Sequence, residues 1–145
     1  MIGALRATLL PIEIDRLAAT ILQVGALFAA LGCGVDYLAM PDDVEVRSLG
    51  FVEAALPFAA WGAAFFAASV VGLAGLAMRR FPVAAVAHGT LMGLYLAFGI
   101  GQLLYLMSIG DTYGWRTGVG WILGGALIHA VLAEAALDAS RRSRG

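Results

Sequence analysis

Apolar residues fall into four long blocks, and polar residues collect in the gaps between them. The blocks are residues 17–40, 51–78, 82–109 and 118–138. At ~1.5 Å of rise per residue, each can cross the ~30 Å hydrocarbon core of a bilayer as one helix. The third block, PVAAVAHGTLMGLYLAFGIGQLLYLMSI, carries no formal charge. At ~100° per residue, His88, Met92, Tyr95, Gly99 and Gln102 share one of its faces. Gly89, Gly93, Ala97 and Gly101, spaced by four, form a smooth ladder on roughly the opposite face. A helix facing only lipid needs neither feature, so protein is expected on both sides of it.

Small residues recur at helical spacing in the other blocks. Ala18, Gly25, Ala29, Gly32 and Asp36 share a face of the first. Ala60, Ala64, Ala68 and Gly72 step by four through the second, where Trp61, Phe65 and Phe66 supply bulk. Gly120 and Gly124 form a GxxxG step in the fourth, with Glu134 and Asp138 on the same face and His129 on the other side. Such ladders let membrane helices approach closely. Their first use is packing within the bundle, but four helices with several smooth faces offer more close-packing surface than one bundle needs. Some of it is available for a second copy or another membrane protein.

The gaps are short and well marked. Pro41-Asp42-Asp43 ends the first block and opens an acidic loop with Glu45 and Arg47. Pro57 either kinks the second block or marks a late helical start. Arg79-Arg80 stops it, and Phe81-Pro82 turns directly into the third, which predicts an antiparallel hairpin. GDTYGWRT, residues 110–117, is a Gly-rich turn with Tyr113 and Trp115 as interface anchors. Residues 1–16 are too interrupted to span and fit an interfacial segment, with the first helix starting near Pro11. Residues 139–145 form a basic tail.

Composition agrees with a bilayer as solvent. The chain has 145 residues, 61% hydrophobic and 13% charged, against roughly 25% charged in soluble domains. Its mean hydropathy is +0.89. The predicted fold is therefore all-α: an integral membrane four-helix bundle, up-down-up-down, over residues 17–138. Seven arginines (6, 16, 79, 80, 141, 142, 144) fall on one side and two (47, 116) on the other. By the positive-inside rule both termini should be cytoplasmic, in a bacterial inner membrane. A net charge of −1 with no basic cluster predicts no nucleic-acid partner. The single cysteine, Cys33, excludes an internal disulfide and a Cys-based metal cluster. Residues 30–33 distantly resemble a lipoprotein cleavage box but carry Ala30 where its leucine belongs, three residues before the cysteine, so Cys33 is read as a packed small residue.

Ionisable groups inside spans cost roughly 2.5–3.5 kcal/mol at a helix centre, so each needs a reason. The candidates are Asp36, Glu53, His88, Gln102, His129 and Glu134. Near the outer surface, Arg116 is placed to pair with Asp36 or Glu53. A proton or cation site at those two carboxylates is the sharper alternative. Near the inner surface, His88 bonded to Glu134 or Gln23 would act as interhelical glue. Asp138 is expected to pair with Arg141 or Arg142, one turn on. His88 and His129 also raise bis-His haem. They are offset by ~5 Å in depth, counting helical rise, and no cofactor or metal is expected. HExxH, GxSxG, Walker and CxxC motifs are absent, so no enzyme is predicted.

Several segments carry a resemblance: Glu53-Ala54-Ala55-Leu56-Pro57 with Trp61, the Arg79-Arg80 turn, His88, Gly99-Ile100-Gly101, and Gly114-Trp115-Arg116-Thr117. Together, over about residues 45–138, the chain resembles the small four-span, holin-like membrane proteins that actinobacterial phages encode beside lysis enzymes. The resemblance implies a protein that accumulates in the host cytoplasmic membrane, oligomerises and permeabilises it. It assigns no catalytic residue. From the residues alone, an accessory subunit of a larger membrane complex and a small proton-coupled transporter remain open beside it. The expected partners are the lipid bilayer and either a second copy or another membrane protein.

Overall fold

The computed structural model describes residues 16–41, 46, 49–110 and 114–143. The segment before Arg16, most of the acidic loop and Tyr113 lie outside them, so the helix start near Pro11 is not among the described features. Within them every element is helical: α1 (Arg16–Ala39), α2 (Gly50–Ala55), α3 (Phe58–Ala77), α4 (Phe81–Ser108) and α5 (Trp115–Arg142). The segment Trp121–Ala126 of α5 is wound as a π-helix. α1, α3, α4 and α5 are each long and apolar enough to cross a membrane. The chain is thus an all-helical protein with four potential spans.

Pro57 divides the second apolar block. Residue 56, preceding the proline, is extended (φ −155°, ψ 145°), as the proline ring requires of its neighbour. α2 ends there, and Pro57 caps α3, its carbonyl accepting from the N–H groups of Ala60 and Trp61. The late-start alternative holds, and residues 51–78 are two helices rather than one. Trp61 Nε1 donates to the Val52 carbonyl at 3.1 Å, tying the two pieces together across the break.

The α3–α4 connection is a Schellman turn. The Arg80 N–H donates to the Gly75 carbonyl at 2.7 Å and the Arg79 N–H to that of Leu76 at 3.0 Å. Arg79 takes the left-handed conformation (φ 53°) that glycine usually supplies. A non-glycine residue there costs on the order of 1–2 kcal/mol. Pro82 sits in the first turn of α4, where its missing N–H loses no helical bond.

Glycines set the closest helix crossings. A Cβ on Gly34 of α1 would lie 2.6 Å from the Phe66 nitrogen of α3, and one on Gly62 would lie 2.7 Å from the Leu38 nitrogen. Further along, Gly72 meets Leu27 and Ala87, and Gly75 meets the Ala84 nitrogen. On the α4–α5 side, Gly99 meets Ile122 and the Gly118 carbonyl, and Gly125 lies under the Tyr95 ring. In each pair the partner numbers fall as the glycine numbers rise, so neighbouring helices run antiparallel. α1 packs on α3, α3 on α4, and α4 on α5, with α2 covering one end of α4.

These are mostly not the ladder residues that spacing singled out. Of those, Ala68 and Gly72 are buried, and Gly101 packs on Val52. Ala60 and Ala97 are exposed, and Ala64 is half-buried. Gly89, Gly93, Gly120, Gly124, Gly25 and Gly32 have nothing within 4 Å of an added Cβ. In a single chain the ladder side of α4 therefore meets no other helix at Gly89 and Gly93. The π-helical turn contributes to the shift in α5. It holds more residues per turn, so the phase counted from Gly120 does not carry through to His129.

Gly34→Val should destabilise the fold by ~1–3 kcal/mol, because the α1–α3 crossing has no room for it. Gly25→Val, on the open side of the same helix, should change stability little. Equilibrium unfolding of both variants in mixed micelles checks the contrast.

Candidate functional site

The centre of the bundle is a stripe along α4. His88, Tyr95 and Gln102 recur every seven residues and are all buried, with Leu91 and Phe98 between them. A seven-residue step is close to two helical turns, so the three lie on one line. The stripe has no charge, which lets α4 sit innermost with protein on its polar side.

Tyr95 touches all three other spans. Its ring meets Phe65 of α3 edge-on at 5.0 Å, and its hydroxyl lies 3.9 Å from the Cys33 thiol of α1. On α5 it packs against Trp121 at 5.4 Å and stacks nearly flat on His129 (5.3 Å, 17°). Phe98 extends the aromatic layer, meeting Trp61 at 5.0 Å, Tyr37 at 5.1 Å and Trp121 at 5.6 Å. Tyr37 in turn stacks on Phe58. Edge-to-face and offset pairs of this kind add ~0.5–1.5 kcal/mol each beyond burial.

One helical stretch below Tyr95 lies the histidine pair. His88 Nδ1 and His129 Nδ1 are 2.8 Å apart, a direct hydrogen bond with a single proton between them. His88 is 0% exposed and His129 2%. The sequence placed His129 on the far side of α5 and paired His88 with Glu134 or Gln23. The structure instead joins the two rings across α4 and α5. The π-helical turn changes the register just before His129, which counting along a straight α-helix does not include. With ring centroids 5.0 Å apart and nitrogens in direct contact, no macrocycle fits between these rings, so the haem arrangement is geometrically closed.

Among the described residues in the same half of the bundle as the pair, three side-chain atoms are buried without a hydrogen-bond partner: His88 Nε2, Gln23 Oε1 and Ser69 Oγ. Gln102 Oε1 is a fourth, nearer the other end of α4. Ser69 gave no signal in the sequence, because a lone serine in an apolar span is common. Tyr95 was visible only as a member of the polar face, and its contact with Cys33 depends on tertiary packing.

The carboxylates lie elsewhere. Asp36 is exposed on α1, Glu53 is half-buried on α2, and Arg116 is exposed in the first turn of α5. Among the described residues, Arg116 pairs with neither acid. The ion pairs found are at the other end of α5. Arg141 binds Asp138 at 2.8 Å and reaches Glu134 at 3.8 Å. Arg141, three residues after Asp138, takes the role that Arg142 shared with it in the sequence reading. No group of three or more metal-ligating side chains occurs among the described residues.

What the site can do chemically is hold a proton away from bulk water. A neutral His–His pair has one ring protonated at Nδ1 and the other at Nε2, and it accepts one more proton without losing its bond. No family model, curated protein or solved structure matches this chain.

His129→Phe should strand the His88 ring with both nitrogens unpaired, costing about 1–3 kcal/mol of stability. The His88→Phe, His129→Phe double variant should cost less than the sum of the single changes. A double-mutant cycle read by reversible unfolding in micelles tests the coupling.

Proposed function

We propose that this chain is a non-enzymatic, homo-oligomeric, holin-like protein that permeabilises a bacterial cytoplasmic membrane. In this reading α1, α3, α4 and α5 run up-down-up-down with both termini in the cytoplasm. The support is the excess of arginine at the end of the bundle holding Arg79, Arg80, Arg141 and Arg142. Asp36, Glu53 and Arg116 then lie toward the outside.

The observation that carries the proposal is a division of labour among the glycines. Gly34, Gly62, Gly72, Gly75, Gly99, Gly118 and Gly125 are used up in the contacts of one chain. Gly89 and Gly93 on α4, Gly120 and Gly124 on α5, and Gly25 and Gly32 on α1 are not. Each costs the helix ~1 kcal/mol relative to alanine, and within one chain nothing offsets that cost. In lipid, where hydrophobic attraction between helices is lost, small-residue faces are what lets two helices meet. Association through these faces makes the cost intelligible. Permeabilisation follows from the resemblance to phage lysis-cassette proteins and from the two-sided α4, whose polar stripe can line water if assembly repacks the bundle.

The same open faces would serve an accessory subunit docking on a different membrane protein. Gly89→Leu with Gly93→Leu separates the readings. The double variant should fold, since nothing lies within 4 Å of either added Cβ. In the proposed reading it should lose the higher-order species seen by cross-linking in membranes, and it should delay or abolish the abrupt collapse of membrane potential on expression. An unchanged collapse, or a wild-type chain that stays monomeric and harmless, overturns the proposal.

A further inference from the structure

Buried polar atoms without partners are expensive, and hydrocarbon supplies none. Three of them gather on the side of the bundle nearer the Arg79–Arg80 turn. Gly72 meets Leu27 and Ala87, which fixes a common level on α3, α1 and α4. Gln23 lies about one turn from Leu27, Ser69 about one turn from Gly72, and His88 next to Ala87. At ~1.5 Å per residue the three fall within about 10 Å along the bundle axis. All are buried: Gln23 is 7% exposed, and Ser69 and His88 are 0%.

The core is unequal on the two sides of this level. Toward the Arg79–Arg80 end it is built from Ala84, Ala85 and Ala136, with Ser140 beyond. Toward the other end Tyr95 lies flat on His129, and Phe65, Phe98 and Trp121 close the interior. The small-residue end is tightly packed but carries the buried polar side chains Gln23 and Ser140, whereas the interlocked Phe65 and Phe98 rings on the other side offer water no polar partner.

We propose that Gln23, Ser69, His88 and His129 form a buried, hydrated proton-binding site, reached from the Arg79–Arg80 end and sealed at the other. Gln23 and Ser69 lie on opposite sides of the shared level, so a short file of waters, each making about three hydrogen bonds, runs from Gln23 Oε1 at one end to Ser69 Oγ and His88 Nε2 at the other. A proton delivered along that file binds His88 Nε2. The proton between the rings then passes from His88 Nδ1 to His129 Nδ1. His88 is left neutral with its proton on Nε2, and His129 carries the charge with both nitrogens protonated. One proton is taken up, and no other bond is made or broken. The titratable groups on the packed faces are Cys33 of α1 and Tyr95 of α4. α3 contributes Ser69 and no titratable group, and Glu134 of α5 lies against Arg141. Among the described residues no carboxylate is seen bonded to either ring, so in this proposal water solvates the loaded pair.

The test is histidine ¹⁵N NMR on the full chain in nanodiscs. The wild type should show coupling between the two Nδ1 atoms across the shared proton. Its ring Nε2 protons should exchange with water far faster than backbone amides of the same helices. Gln23→Leu with Ser69→Ala removes the water anchors and should slow ring exchange about tenfold, the size of one lost hydrogen bond to a buried polar group. Ser69→Ala alone should shift it in the same direction if the double variant does not fold. Ring exchange as slow as core amides in the wild type, or unchanged in both variants, overturns the proposal. Gly89→Leu with Gly93→Leu should leave ring exchange as in the wild type. Loss of fast exchange there would make hydration a property of the assembly and overturn the one-chain site. The outcome is thus separate from whether the protein permeabilises membranes.

Discussion

Three helices are held together by what they each press against the buried stripe of a fourth. Tyr95 alone receives Phe65 from α3, Cys33 from α1, and Trp121 and His129 from α5. In a bilayer this matters more than in water. Lipid tails are as apolar as leucine, so burial gives little net attraction between helices, and specific ring and hydrogen-bond contacts must supply it. The uncharged character of α4 follows from the same constraint. An innermost helix can carry imidazole, phenol and amide, but a lysine or glutamate there would need its own partner.

The four long apolar helices, the hairpin at Arg79–Arg80 and the buried polar face of α4 were legible in the sequence. All three rest on length and on charge-free blocks, which hydrocarbon imposes directly. The direction in which each small-residue ladder points was not legible. Period gives the angle between residues on one helix, but in a soluble protein the absolute direction comes from polar residues facing water. Here both the lipid side and the core side are apolar, so Gly93 and Gly99 look alike in sequence. One faces outward and the other lies against Gly118 and Ile122.

The histidine pair shows a second limit. Both residues were visible as candidates. Their contact was missed because rigid α-helical counting does not allow for a π-helical turn between Trp121 and Ala126. The same turn brings Gly125 beneath Tyr95, so the distortion of α5 and the placement of the site share one origin. Pro57 is the simpler case. Its effect on its neighbour is local and steric, so the sequence could name both of its outcomes, although only the fold shows which one occurs.

The left-handed Arg79 also bears on how the chain reaches its membrane. The turn between α3 and α4 is closed by its own backbone bonds. Two apolar rods joined so tightly would enter the bilayer together, as a single wedge. In the proposed topology the adjacent guanidinium groups at its bend would resist translocation and stay on the side of synthesis. Biogenesis would then begin from the middle of the polypeptide, with α1 and α5 docking afterwards onto a hairpin already in place.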